Sequence, residues 1–248
     1  MYIELTFFIS ESSFDLLQAV SWPIADPINL LDYTRGPEDF PAYQFTPGSD
    51  TRVPIAQFFP EDKLPFRDFS IFIIAKPLSN YGGMLFSVVT PDNSLVSLGV
   101  GLTPVQPDNT VNITLYYWNY NNVTKSDIQK PRASFSVSNF TGQWKKFALS
   151  YEGDSLQLFF DCGPDAIFEE QIVTRGNNSL PFESDSFVYL AQAGSIYDLP
   201  YNVSTLLYYY NLICTSGKIV SGYKGYKVLK TVCHNISYQK YTLSCNVT

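Results

Sequence analysis

The chain is poor in the residues that most catalytic chemistry uses. It has one histidine, four cysteines and two methionines among 248 residues. A lone imidazole, His234, excludes His-rich metal sites and makes any Ser-His-Asp or Cys-His arrangement depend on that one residue. No Gly-x-Ser-x-Gly occurs. Cys214-Thr215-Ser216-Gly217-Lys218 fails as a phosphate loop because Leu212 stands where the first glycine is required. Four cysteines are too few for a disulfide-knot scaffold. Charged residues are only 16% and the net charge is −7, which excludes duplex nucleic acid as a partner of the whole surface. No run approaches the ~18 to 20 apolar residues that span a bilayer, so no transmembrane segment is expected. Acids are missing from one region altogether, since none follows Asp198.

What is present is a core. Apolar residues make up 45%, and the length suits one large all-β or α/β domain or two small ones. Residues 199–248 carry five lysines and no acid, so the first 198 residues hold −12 of the net −7 and the end segment +5. Three of the four cysteines (Cys214, Cys233, Cys245) also lie in that end segment. Seven Asn-x-Ser/Thr sequons occur, at Asn112, Asn122, Asn139, Asn177, Asn202, Asn235 and Asn246. They are more than chance supplies and point to a secreted glycoprotein. Asn112 is well placed: apolar residues alternate around it, so Asn112 and Thr114 share the outer face of a strand. The start, with Glu4 where a basic region is expected, reads as an N-terminal extension or degenerate signal over residues 1–13.

Strand signals dominate. Phe69, Ile71, Ile73 and Ala75 alternate with Ser70, Phe72, Ile74 and Lys76. Short apolar runs follow at 84–89, 95–102, 111–118, 133–137, 144–151, 156–162 and 187–193. Turn clusters separate them, among them Pro91-Asp92-Asn93 and the stretch 104–109. Glu152-Gly153-Asp154-Ser155 predicts a tight hairpin. Residues 21–65 are rich in proline and read as an irregular lead-in with strands at 42–45 and 53–59. The one helical pattern is 13–20, where Ser13 caps a short helix carrying Phe14, Leu17 and Val20. Strands of this length and spacing predict an all-β antiparallel sandwich.

Several stretches, in order, carry a resemblance. They are Phe14-Asp15-Leu16-Leu17-Gln18, Phe66-Arg67-Asp68-Phe69-Ser70-Ile71, Gly83-Met84-Leu85-Phe86-Ser87-Val88, Val96-Ser97-Leu98-Gly99-Val100, Ile113-Thr114-Leu115-Tyr116-Tyr117 and Ala133-Ser134-Phe135. The most specific is Phe140-Thr141-Gly142-Gln143-Trp144, followed by Phe147-Ala148-Leu149-Ser150 and Asp161-Cys162. Phe187-Val188-Tyr189-Leu190-Ala191-Gln192-Ala193-Gly194 closes it. Together they resemble the thrombospondin N-terminal-like, laminin-G-like domain, in particular the N-terminal non-collagenous domain of the type XV and XVIII (multiplexin) collagens. The resemblance covers about residues 14–198. It implies a jelly-roll sandwich of the laminin-G or concanavalin type over residues 14–200, with 201–248 a divergent basic tail that holds the final strand or an extension. It also implies a non-catalytic extracellular-matrix domain, the globular part of a collagen-like protein that binds matrix proteins or glycosaminoglycans. Trimerisation would then come only from collagenous segments outside this sequence.

The family closes a disulfide from the cysteine matching Cys162 to one beyond the final strand. The resemblance thus implies a bridge from Cys162 to a cysteine of the tail; four cysteines allow three connectivities, which the sequence leaves open, and Cys162–Cys214 with Cys233–Cys245 as a local loop is the one favoured here. Stretches 206–214 and 222–230 both stand where that final strand belongs. Lys224, Lys227 and Lys230 are the candidate glycosaminoglycan patch, although on a strand Lys227 points opposite to the other two. No cofactor and no metal ligand set is expected. Asp154, Asp161 and Asp165 are near one another in sequence only, Trp144 opens a core strand, and Glu169-Glu170 read as a solvated edge pair. The alternative reading is a cation-dependent carbohydrate-binding sandwich of the lectin type.

Overall fold

The computed structural model describes residues 6–9, 12–19, 31–37, 41–45, 51–58, 68–117, 131–161, 166–173, 182–194, 196 and 205–208. Within them run β1 (Thr6–Ile9), β2 (Ser12–Asp15), β3 (Leu31–Arg35), β4 (Pro41–Phe45) and β5 (Val53–Pro54). The long central strands follow: β6 (Phe69–Pro77), β7 (Gly83–Val89), β8 (Val96–Leu102), β9 (Thr110–Tyr117), β10 (Ala133–Ser138), β11 (Lys145–Glu152) and β12 (Ser155–Phe160). β13 (Ile167–Ile172), β14 (Phe187–Leu190) and β15 (Thr205–Tyr208) complete the set. All described pairings are antiparallel. One sheet has the order β13-β12-β11-β6-β15-β4-β3, with β1 also on β6 and β2 on β1; the other has the order β10-β9-β8-β7-β14-β5. The expected all-β jelly-roll sandwich is the fold observed.

The core lies between the sheets. Phe69, Ile71, Ile73 and Ala75 of β6 and Phe147, Leu149 and Tyr151 of β11 face Val111, Ile113, Leu115 and Tyr117 of β9 and Phe135 of β10. All are buried, and each large side chain among them stabilises by about 1.5–3 kcal/mol on burial. An edge-on ring contact links the layers, Tyr117 on one sheet meeting Tyr151 on the other at 5.8 Å, and within its own sheet Tyr151 also meets Phe69 edge-on at 5.7 Å. The opposite face of β6 is buried too. Phe72 and Ile74 lie on it, and the hydroxyls of Ser70 and Ser150 meet across the β6–β11 pair at 2.8 Å.

β6 shares one side between two strands far apart in sequence. β1 pairs with its Ser70, Ile71 and Phe72, while β15 pairs with Lys76 and Pro77. β15 then pairs with β4 along its whole length. Thus, among the described residues, the sandwich draws β1 and the start of β2 from before residue 14 and β15 from after residue 200.

The hairpin at 152–155 is present, with Glu152 opposite Ser155 and Gly153 at φ +58°. The N-terminal helical pattern resolves differently. Residues 12–15 are strand β2, paired with β1, and only Leu16–Ala19 turn, as a short 3-10 helix. Leu16 and Leu17 are both buried there, so the apolar pair serves the core without a full helix. Likewise the expected strand at 53–59 is two residues of β5 followed by a 3-10 turn over Ile55–Gln57.

Candidate interaction surfaces and modification sites

Many sequence-derived candidates lie outside the described residues. These are Cys162, Cys214, Cys233, Cys245, Lys224, Lys227, Lys230, His234, Asp165 and the sequons at Asn122, Asn177, Asn202, Asn235 and Asn246. Two sequons, Asn112 and Asn139, are described.

Asn112 lies on β9 with its side chain away from the core that Val111 and Ile113 face. Its backbone is held on both sides by Thr103: Asn112 N donates to Thr103 Oγ1, and Thr103 N donates to the Asn112 carbonyl, each at 3.0 Å. The sequon hydroxyl of Thr114 is buried and donates to the Gly101 carbonyl at 3.0 Å. Asn112 and Thr114 thus share the outer face, as the alternation implies, but the threonine is covered.

Asn139 belongs to a cluster of three loops at one end of the sandwich. The β6–β7 turn, the β8–β9 loop and the β10–β11 loop are tied by backbone bonds from Val105 N to the Asn80 carbonyl (2.8 Å), Gly142 N to the Pro77 carbonyl (2.7 Å) and Asn139 N to the Asn109 carbonyl (3.0 Å). Asn139 Nδ2 also donates to Asn109 Oδ1 at 3.1 Å, and its Oδ1 accepts the amide and the hydroxyl of Thr141. Leu78 and Tyr81 are exposed at this end, Tyr81 by 72%. A loop cluster fixed in this way presents a preformed surface.

The same turn sequence is used twice. Pro91-Asp92-Asn93-Ser94 and Pro107-Asp108-Asn109-Thr110 each place the asparagine at positive φ, +52° and +61°. Each aspartate accepts the amide and hydroxyl of the Ser or Thr two residues on. Those bonds, with that from Thr90 the largest at Asp92 and that from Thr110 the largest at Asp108, hold both carboxyls below the ordinary range. Each asparagine Oδ1 then anchors a remote segment: Tyr189 through its hydroxyl at 3.1 Å, and Asn139 through its amide. Sequence reading marked these stretches as turns and missed the anchoring, for which the repeated Pro-Asp-Asn-Ser/Thr was the available signal.

The described acidic candidates do not converge. Asp154 and Asp161 flank the two ends of β12, roughly 20 Å apart at ~3.3 Å per residue, too far to share a cation. Asp161 instead pairs with Lys145, whose ammonium also lies 6.0 Å from the Phe160 ring centroid. Among the described residues no group of three His, Cys, Asp or Glu side chains could hold a metal ion. Glu169 and Glu170 sit on opposite faces of the edge strand β13; Glu170 is exposed and accepts from Ser155 and Gln157, which lowers its pKa. Trp144 is half-buried against the core, with Lys76 Nζ 6.0 Å from its ring centroid. No helix among the described residues is long and apolar enough to cross a membrane.

Two antiparallel sheets stacked face to face make this a domain of the jelly-roll β-sandwich class. The chain matches no family model. Over 179 residues, 72% of its length, it is 31% identical to the human collagen alpha-1(XVIII) chain. Over that stretch the chain is similar to a multiplexin collagen, in keeping with the resemblance its sequence motifs carry, and it is a domain of the extracellular-matrix type. The matched stretch spans 10% of that collagen's own length. Among solved structures, the LG1–3 region of the laminin alpha2 chain aligns with 66% of this chain and 30% of its own, at 16% identity and TM-score 0.43. Domains LG4–5 of mouse laminin alpha1 align with 75% of this chain and 45% of their own, at 13% identity and TM-score 0.44.

Proposed function

We propose that this domain is a non-catalytic, secreted interaction module of the extracellular matrix, the N-terminal globular part of a collagen-like protein that binds matrix proteins or glycosaminoglycans. The observation that carries the reading is the 31% identity to a collagen chain over most of the sequence. The pinned loop cluster bearing Leu78 and Tyr81 is a fitting surface for a protein partner, and Lys224, Lys227 and Lys230 are the residues for a sulfated glycan. The domain proper is residues 14–200, joined by strands from residues 1–13 and from the basic segment 201–248. In an oxidising compartment Cys162 pairs with Cys214 and Cys233 with Cys245, the longer loop stabilising by roughly 4 kcal/mol. The sequons carry N-glycans.

Capture of the secreted domain on immobilised matrix glycoproteins and heparan sulfate at physiological salt tests the reading. Saturable binding to one of them is the expected result. Binding to none, or turnover of a glycan or peptide that is lost in His234→Ala, overturns it. Non-reducing peptide mapping tests the pairing, and a free Cys162 thiol refutes it.

A further inference from the structure

Each sheet ends in strands whose outer side pairs with nothing described, and such edges invite pairing with another chain unless they are guarded. Four of the five edge strands hold a charged residue or a proline in their sequence. β13 has Glu169 and Glu170, β3 has Asp32 and Arg35, β2 has Asp15, and β5 has Pro54. β10 is the exception. Its sequence, Ala-Ser-Phe-Ser-Val-Ser, holds no charge and no proline, and its register with β9 runs without a bulge. Arg132 precedes it, but the guanidinium is turned to the Tyr117 carbonyl at 3.2 Å.

Among the described residues no strand pairs with the outer side of this edge. The bond from Asn139 N to the Asn109 carbonyl continues a ladder in which odd-numbered residues of β10 bond to β9, so the backbone groups of Ser134, Ser136 and Ser138 face outward. Gln171 Nε2 on β13 reaches the Ser134 carbonyl at 2.7 Å, which marks that side and occupies one acceptor. Ser136 and Ser138 are exposed. A second copy of β10 fits this edge. Antiparallel pairing about Ser136 sets Ser136 against Ser136 and Phe135 against Val137, with no like charges opposed. β13 pairing with itself would oppose Glu169 and Glu170.

One sequon adjoins this strand at its middle: Asn112 is the cross-strand partner of Ser136, on the outer face of the neighbouring strand. We propose that an N-glycan on Asn112 is the guard of the β10 edge, replacing the charge or proline used at the other edges and blocking pairing with β10 of a second copy. The proposal rests on the reading that the sequons are used in a secretory route. Because the Thr114 hydroxyl is buried on the Gly101 carbonyl, the glycan is added before β9 enters the sheet.

The test uses the full chain secreted from an animal-cell host, with site occupancy by peptide mass spectrometry and mass by light scattering over a concentration series. The expected result is a monomer with Asn112 occupied. Asn112→Gln, and separately the folded wild type trimmed by an endoglycosidase, should self-associate with a dissociation constant at least about tenfold lower than the intact glycoprotein. Ser136→Lys added to Asn112→Gln should restore the monomer. The trimmed wild type keeps the proposal testable if Asn112→Gln folds poorly. An unoccupied Asn112 defeats the sequon reading at this site. Occupancy with no association after trimming defeats the guard alone, as does association that Ser136→Lys leaves unchanged.

Discussion

Thr51 Oγ1 is a junction of two segments that the sequence separates by about 140 residues. It donates to the Leu190 carbonyl at 2.6 Å, accepts the Leu190 amide at 3.3 Å and accepts Gln192 Nε2 at 2.8 Å, all while buried. Ser87 Oγ donates to the Gln192 carbonyl at 2.8 Å, and Gly194 turns at φ +56° against the Tyr189 ring and Asn93. This explains why Ala191-Gln192-Ala193-Gly194 could be recognised as a motif: the residue types are dictated by one buried, hydrogen-bonded corner. Its partner Thr51 was not legible, because a threonine in an irregular stretch announces no contact so far along the chain. Thr51→Val keeps the shape and strands the Leu190 and Gln192 groups, so it should destabilise by about 2 kcal/mol in urea unfolding. Glycines divide in the same local way. A Cβ on Gly82, at φ +71°, would lie 2.4 Å from the Leu102 oxygen and Thr103 carbon of the backbone, whereas one on Gly153, at φ +58°, meets nothing within 4 Å. Gly82→Ala should therefore cost about 2–4 kcal/mol and Gly153→Ala about 1 kcal/mol, with the order of the two urea midpoints as the check.

Elements were legible in proportion to how completely they are buried and how locally they pair. β7 to β10 pair in chain order and β11 pairs with β12, and these strands, with β6, each show an alternation or apolar run bounded by turn residues. β1 does not, and β15 only ambiguously, because part of their register comes from partners elsewhere: Leu206 lies opposite Gln44, and Phe7 opposite Ile71. Residues 6–9 read as a poor signal for this reason, whereas 31–35 pair with the next strand and are hidden only by the proline-rich sequence around them. β13 was missed for another. Its Phe168 and Ile172 are exposed, by 56% and 76%, while Ile167 and Gln171 are half-buried, so the usual inside-outside alternation is inverted in hydrophobicity. The same contrast predicts dynamics. β6 has neighbours on both sides and both faces buried, whereas among the described residues β13 bonds on one side only. Amide hydrogen exchange should be slowest for Ile71, Ile73 and Leu149, and faster for β13 than for β11 and β12. Protection in β13 equal to that in β6 would mean that its outer side is paired.

At the scale of the whole molecule the charge split acquires a structural limit. The basic segment was drawn as beginning where the acids stop, after Asp198, yet Thr205–Tyr208 is a strand between β6 and β4. Any deletion that probes the tail must therefore begin after Tyr208, or it removes a strand along with the lysines. The first 198 residues carry −12, and a sulfated glycan escapes that repulsion only within roughly one Debye length, about 8 Å at physiological salt, of the lysines themselves. Binding would then depend on how Lys224, Lys227 and Lys230 are arranged more than on their number. On an extended segment Lys224 and Lys230 share a face and Lys227 takes the other, whereas helical spacing aligns all three. The extended reading predicts that Lys224→Ala with Lys230→Ala lowers the salt needed for elution from a heparin column to that of a chain ending at Tyr208, while Lys227→Ala alone changes it little. Equal effects of the three single substitutions refute the extended arrangement. Passage of the intact chain through the column at physiological salt removes sulfated glycans from the proposal and leaves the Leu78 and Tyr81 loop cluster as the surface to be matched to a protein.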